Sequence, residues 1–430
     1  MLNEHLCGLG FERSKSDTCL YVHRNEESGK WCAIAVFVDD LLVTGTDTDK
    51  ISELREYLST TFQGNGAWEE NINSFLGMNI FYDQVNGILK MDIASKIDDL
   101  FKNHPEISSV HGINAPHLAC FDKLDLDEPS SLLSVEQYIK DNFSVLAGTF
   151  IYLTITCRPD LTTIVNKACK GMHDPQYRHI AYMLAAIKYV KNHRTLGLCY
   201  ERDKGGISNV VTTLVDRYEE LKNLPNAPVI AFSDASHLGL QKDKMRSVSG
   251  STIYCHNHLV EWSSKMQTIA AGSSMESELI AASSTADKAV WHYHLMECYP
   301  FLYGLEKPLA VPILIDNLAC LSVSNHPNSS TKTRHVRLRE FRIRDYHEEG
   351  KVRPYWLPGK LNVADHFSKI LGKVDFEINV KRMGMSGSYD DHFALLSFND
   401  YPVKDDLYWL NPERMKAWEQ FHITRGRSNI

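Results

Sequence analysis

Six acidic residues stand where carboxylates could do chemistry. Asp39 and Asp40 are adjacent in "FVDDLLVTG", between the strand-like run "WCAIAV" and a short apolar run ending at Gly45. Strand, tight turn, strand is the expected form. Two-residue hairpins favour Asn-Gly or Asp-Gly because both central residues take positive φ, so Asp-Asp is a poor turn. Two carboxylates at such a bend either offer hard oxygen ligands to a divalent metal or form a solvated acidic turn, and spacing leaves both open. The other four lie far apart. Asp234 follows the apolar strand "VIAF", Glu278 sits on a helix after a hairpin, Asp316 ends the strand "PILI", and Asp365 is near the start of a late helix. Singly, an Asp after a strand reads as a helix cap or turn residue. Together, acids at strand ends and helix starts can converge on one sheet edge. Four carboxylates there would bind two magnesium ions about 4 Å apart, an arrangement suited to in-line attack of water on a phosphodiester.

Glu276 competes with Glu278. The two point about 200° apart on a helix, so one alone can face the metals. Ser273 and Glu276 match S-x-x-E, the capping box, which assigns Glu276 to the helix start and leaves Glu278 as the ligand.

The elements that must position these acids follow from periodicity. Residues 47–60 predict a helix capped by Asp47 or Thr48, with Ile51, Leu54 and Leu58 as its apolar stripe. Two strands flank a turn at Val85–Gly87, a helix covers 93–103, and the Pro-rich, polar stretch 104–135 reads as a linker. Residues 136–200 are mostly helical, with Ile180, Met183, Leu184, Ile187 and Val190 on one face. From Val229 strands alternate with helices in an α/β unit of ordinary domain size. The expected domains are 1–135, 136–228, 229–371 and a tail, 372–430, in which Asn411 and Pro412 open a helix and Trp409, Trp418 and Phe421 pack on a core.

At 430 residues and 43% apolar content the chain is long enough for two or three domains with real cores. A formal charge of −8 excludes a uniformly basic nucleic-acid binder, so such binding requires a local patch. "KTRHVRLREFRIR", 332–344, is that patch: Lys332, Arg334, His335, Arg337, Arg339, Arg342 and Arg344 could track a phosphate backbone, or form the solvated face of a helix. The ten cysteines make no CxxC pair and no zinc-like spacing, and read as buried thiols of a reducing compartment. The longest apolar run is too short to span a membrane and the start lacks a signal-peptide pattern. The expectation is a soluble intracellular protein, cytoplasmic or nuclear.

The segments "FSDAS", "RSVSGSTIY", "EWSSK", "SSMESELIAAS", "ILIDNLAC", "TKTRHVRLREFRIRDY" and "YWLPGKLNVADHFSK" resemble, in order and spacing, the ribonuclease H domain of copia-type LTR retrotransposon polyproteins, over most of 229–371. "LGFERSKSDTCLYV", "FVDDLLVTG" and "FLGMNI" resemble the end of the reverse-transcriptase palm, and "LAGTFIYLTITCRPDL" the link to the nuclease. The resemblance implies a ribonuclease H-like mixed-sheet domain of α/β and α+β class, preceded by a partial palm and thumb and a helical connection. It implies two Mg²⁺, or Mn²⁺, on Asp234, Glu278, Asp316 and Asp365, cutting the RNA strand of an RNA–DNA hybrid. It places Arg246, Ser249, Ser273 and Ser274 near the hybrid, although Ser273 is also the cap. It assigns Asp39 and Asp40 to a polymerase metal site whose third aspartate comes from an earlier strand. No such strand precedes them here, so the expectation is an incomplete reverse transcriptase that cannot polymerise alone and whose partners are a hybrid and the remaining polymerase portion, with no membrane. A relic without activity and a non-catalytic nucleic-acid-binding module are the alternatives. The loop before Asp365 lacks the His found in many cellular ribonucleases H; His366 follows the acid instead, and slow product release is the expected consequence.

Overall fold

The structure, a computed structural model, describes residues 2–62, 68–70, 72–117, 133–202, 204–236, 246–325 and 341–387. The first sheet is an antiparallel meander of β1 (Glu12–Arg13), β2 (Leu20–Arg24), β3 (Trp31–Phe37) and β4 (Asp40–Gly45), in that order. Alternation in β3 sends Cys32 and Ile34 to one face, where they meet Leu6, Phe11, Tyr21 and Leu54. Leu54 belongs to the helix Thr48–Thr61, whose Asp47 cap accepts a hydrogen bond from Lys50 N as the sequence predicts. Ala33, on the opposite face, packs with Val22 and Tyr299, so the small sheet is docked on a distant part of the chain.

β5 (Ser74–Phe75), β6 (Met78–Asp83) and β7 (Ile88–Asp92) follow, with the turn between β6 and β7 where Val85–Gly87 predict it. Helices including Ala94–Asn103, Phe143–Thr156, Thr162–Cys169 and Tyr177–Asn192 lead to β8 (Gly197–Glu201), antiparallel to β7. The stretch read as a linker is in part structural. Ile107, on the short helix Pro105–Ser108, and Val110 and Ala115 beyond it are buried in the main core; 118–132 lie outside the described residues.

The third sheet comprises β9 (Val229–Ser236), β10 (Val248–Cys255), β11 (His258–Met266), β12 (Val311–Ile315) and β13 (Val352–Trp356), in the order β11-β10-β9-β12-β13. The first three are antiparallel; β12 runs parallel to both β9 and β13. β9 is central and buried on both faces, which explains its nearly continuous apolar run. Val229 and Ala231 pack on Leu279, Ala282 and Ala286 of the helix Ser274–Cys298. Ile230 and Phe232 turn the other way, into a core continuous with Leu146, Phe150 and Leu153 of the helical segment. That shared core, each large side chain worth about 1.5–3 kcal/mol of burial, makes the third sheet and the helices before it one packing unit.

The start of the tail, for which the sequence offers no role, belongs to the same unit. Helix Lys373–Arg382 buries Phe376 and Val380, and β14 (Met385–Ser386) pairs with β8 to complete a sheet of order β14-β8-β7-β6-β5. Asn411, Pro412, Trp409, Trp418 and Phe421 lie outside the described residues. Nine cysteines are described, and among the described residues none is paired in a disulfide. Cys7, Cys19 and Cys298 are exposed, which corrects the expectation of uniformly buried thiols.

Candidate active site

Asp234 points from central β9 and is 3% exposed. Asp316 follows the last residue of the adjacent parallel strand β12, and its carbonyl accepts from Trp356 Nε1 at 3.1 Å. Asp365 opens the short helix Asp365–Ser368. Carboxylate oxygens of these three lie within 4.8 Å of one another, the one such acid, His or Cys grouping among the described residues. Glu278 comes from the long helix, is 7% exposed, and lies close enough for Asp234 and Asp316 to raise its pKa. Four elements thus deliver the four acids to one end of the sheet.

Glu276 behaves as the capping box requires. Ser273 Oγ accepts from Glu276 N, and Glu276 Oε2 accepts from Gly272 N at 2.7 Å, one residue earlier than the reciprocal pattern places it. With Glu276 engaged in the cap, Glu278 is the residue that faces the acids.

The electrostatics fit a cation site. Burial, then Asp234 and Asp316, push the Glu278 carboxyl up to about 10. Burial and Asp234 push Asp365 to about 8 and Asp316 to about 6. Glu278 Oε2 is a buried carboxylate oxygen without a hydrogen-bond partner, an arrangement that is costly unless something positive meets it. One cation is built in: Lys369 Nζ lies 2.9 Å from Asp365 Oδ1 and 3.9 Å from Asp234 Oδ2. Burial alone would lower the lysine's pKa, yet Asp234, Asp365 and Asp316 together raise it. The donor set, all hard carboxylate oxygens, suits Mg²⁺ or Mn²⁺.

Several positioning residues were not legible in the sequence. Gly250 pairs with Asp234 across β10 and β9; a Cβ there would come 2.5 Å from Ala364 O and 2.9 Å from Ser368 N. The missing side chain is what lets the Asp365 turn close on the sheet. Asn362, 1% exposed, donates to Ser233 O at 3.0 Å and accepts from Ala364 N at 3.1 Å, tying the loop before Asp365 to β9. Ser368 Oγ donates to Asp234 Oδ2. His366 faces away from the acids: it is buried, burial holds its pKa below the ordinary value, and its Nε2 donates to Asp160 O at 3.0 Å.

Asp39 and Asp40 are not brought to any such cluster. β3 and β4 pair Phe37 with Asp40, so the two loop residues are Val38 and Asp39, one position earlier than Asp-Asp, and Val38 takes φ +53. Both aspartates are exposed. Of the residues expected near the hybrid, Arg246 and Ser249 are half-buried at the start of β10, and Ser274 is exposed at the start of the long helix. Ser249 Oγ accepts from Gln267 Nε2, which also donates to Ser277 O, joining β10 to the helix start. Lys332, Arg334, His335, Arg337 and Arg339 lie outside the described residues. The two described arginines of that stretch are engaged within the fold: Arg342 pairs with Asp287, and Arg344 Nη2 donates to Val323 O at 2.7 Å.

Comparison with known proteins agrees with the sequence resemblance. Residues 1–119 match the family described as reverse transcriptase (RNA-dependent DNA polymerase). Over 385 residues the chain is 25% identical to the retrovirus-related Pol polyprotein from transposon RE1 of Arabidopsis thaliana, covering 90% of the chain and 24% of that protein. It is 22% identical over 375 residues to the Pol polyprotein from transposon TNT 1-94 of Nicotiana tabacum, covering 87% of the chain and 26% of the relative. An uncharacterized mitochondrial protein of Arabidopsis thaliana is 24% identical over 258 residues, 60% of this chain and 93% of that one. These matches support a copia-type retrotransposon polyprotein region, and the chain spans about a quarter of the length of the Pol polyproteins it matches. Among the described residues no helix is long and apolar enough to cross a membrane.

Proposed function

We propose that the third sheet and its helices form a ribonuclease H-like endonuclease domain that hydrolyses the RNA strand of RNA–DNA hybrids, attached to a reverse-transcriptase-related palm and thumb segment. The convergence of Asp234, Glu278, Asp316 and Asp365 from four elements, with Glu278 Oε2 buried and unpartnered, carries this reading. The strand order, with three antiparallel strands and two parallel additions, supports it. The four carboxylates would hold two Mg²⁺ or Mn²⁺ ions, which when bound lower the pKa of an attacking water and stabilise the leaving oxygen.

The chain's own residues supply the rest. β9 fixes Asp234, and Ser368 orients its carboxylate. Lys369 neutralises part of the acid charge. Ser274 opens the long helix and Ser249 is joined to its first turn through Gln267, where backbone N–H groups and the helix dipole favour a phosphate; Arg246, two residues before β10, would add a positive charge. Incubation of the chain with labelled hybrid and Mg²⁺, beside Asp316→Asn, tests the proposal. Cleavage that the substitution removes supports the enzyme; salt-dependent binding without cleavage supports a binding module; neither activity supports a relic.

A further inference from the structure

The nuclease acids are held from outside their own sheet. Between the helices Phe143–Thr156 and Thr162–Cys169 lies "CRPD", and Arg158 and Asp160 form an ion pair with no side-chain exposure on either partner. The pairing is bidentate: Arg158 Nε donates to Asp160 Oδ1 at 3.0 Å and Nη2 to Oδ2 at 2.8 Å. Arg158 Nη1 also donates to His193 O at 2.9 Å, and the guanidinium lies over the Tyr189 ring. Such a pair is costly to bury and fixes the turn it sits in. The turn and the helix it leads into each meet the residue after Asp365: Asp160 O accepts from His366 Nε2 at 3.0 Å, and Thr163 Oγ1, on that helix, donates to His366 O. The same helix ties to the sheet edge where Asn166 Nδ2 donates to Ser264 O at 2.7 Å. Asp365, Ser368 and Lys369 all ride on the segment so gripped.

We propose that the buried Arg158–Asp160 pair, acting through Thr163 and His366, is a positioning device of the helical connection that sets the geometry of Asp365 against Asp234. The inference rests on the nuclease reading for its purpose. Its physical content, how tightly the acids hold a divalent ion, is measurable without any substrate. Groups that orient metal ligands typically change affinity by roughly 10–100-fold when removed.

The test uses the full chain and Mn²⁺ alone, with free ion followed by electron paramagnetic resonance, and hybrid cleavage as a second readout. Wild-type binding that Asp234→Asn abolishes is the baseline, and its absence overturns both readings. Thr163→Val keeps the shape and removes the hydroxyl. It is expected to weaken Mn²⁺ binding roughly tenfold and to lower kcat with KM for the hybrid little changed, and Thr163→Ser is expected to restore both. Arg158→Lys, which keeps the charge but not the fork, is expected to weaken Mn²⁺ binding in the same direction. Unchanged Mn²⁺ affinity in both variants, whatever their Tm, overturns the positioning role. If the wild type binds Mn²⁺ but leaves hybrid uncut, the nuclease reading fails while the Thr163 comparison still decides the inference.

Discussion

Two sets of acids differ instructively. Asp39 and Asp40 are sequence neighbours at an exposed hairpin corner, and among the described residues no third ligand group joins them. Asp234, Glu278, Asp316 and Asp365 are spread over more than a hundred residues, yet the fold collects them where burial and neighbouring carboxylates raise the pKa values of Glu278, Asp316 and Asp365. Adjacency in sequence therefore says little about whether carboxylates act together. The register of β9 with β10 and β12, and the turn at Asp365, determine it.

The largest expected effect separates the sets on activity. Glu278→Gln should lower hybrid cleavage by at least about a hundredfold, beyond what loss of a merely supporting residue costs. Without added divalent ions it should leave stability within about 1 kcal/mol, or roughly 2–4 °C in Tm, because a carboxyl with a pKa of about 10 is already protonated at neutral pH. Asp39→Asn and Asp40→Asn should leave cleavage unchanged; an equal loss at the hairpin would erase the distinction.

Next, Gly250→Ala should lower cleavage and cost about 1–3 kcal/mol in urea unfolding, since the new methyl meets backbone at Ala364 and Ser368. Unaltered kinetics would show that the turn yields without moving Asp365.

A smaller effect is the pH dependence of Tm. Raised carboxyls bind protons more tightly folded than unfolded, so their contribution is fully present below the ordinary value, about 4, and is lost as pH rises through the folded values. Through Asp316 at about 6 and Asp365 at about 8, Tm without divalent ions should fall with rising pH. Mn²⁺ affinity should rise over the same window, and Asp234→Asn should flatten the Tm profile. A Tm that climbs through this range in the wild type and falls in the variant would contradict the cluster.

The smallest effect is at the hairpin. Val38→Gly should raise stability by about 1 kcal/mol, because a β-branched residue at φ +53 is strained and glycine is not. A loss instead would mean that Val38 is held by contacts that outweigh its backbone.

Much of the fold was legible because it rests on local rules. The helix after Asp47, the turn at Val85–Gly87, and the Ser273–Glu276 cap that freed Glu278 follow from periodicity and side-chain chemistry within a few residues. The hairpin corner falls at Val38–Asp39, one residue earlier than Asp-Asp, because the ladder pairs Phe37 with Asp40, a register that turn preference does not specify. The burial of Ile107, Val110 and Ala115 within the expected linker is not legible, because three apolar residues among prolines carry no periodic signal.

Local chemistry along the chain names the groups that could act: four acids at strand ends and helix starts, and a capped helix that leaves one glutamate to spare. That they meet, that Gly250 leaves room for the turn, and that Arg158, Asp160 and Thr163 grip it from a preceding segment emerges in the folded molecule alone. The physical reason is range. Caps and periodicity act over one or two helical turns, whereas packing and register set distances between residues the chain keeps far apart.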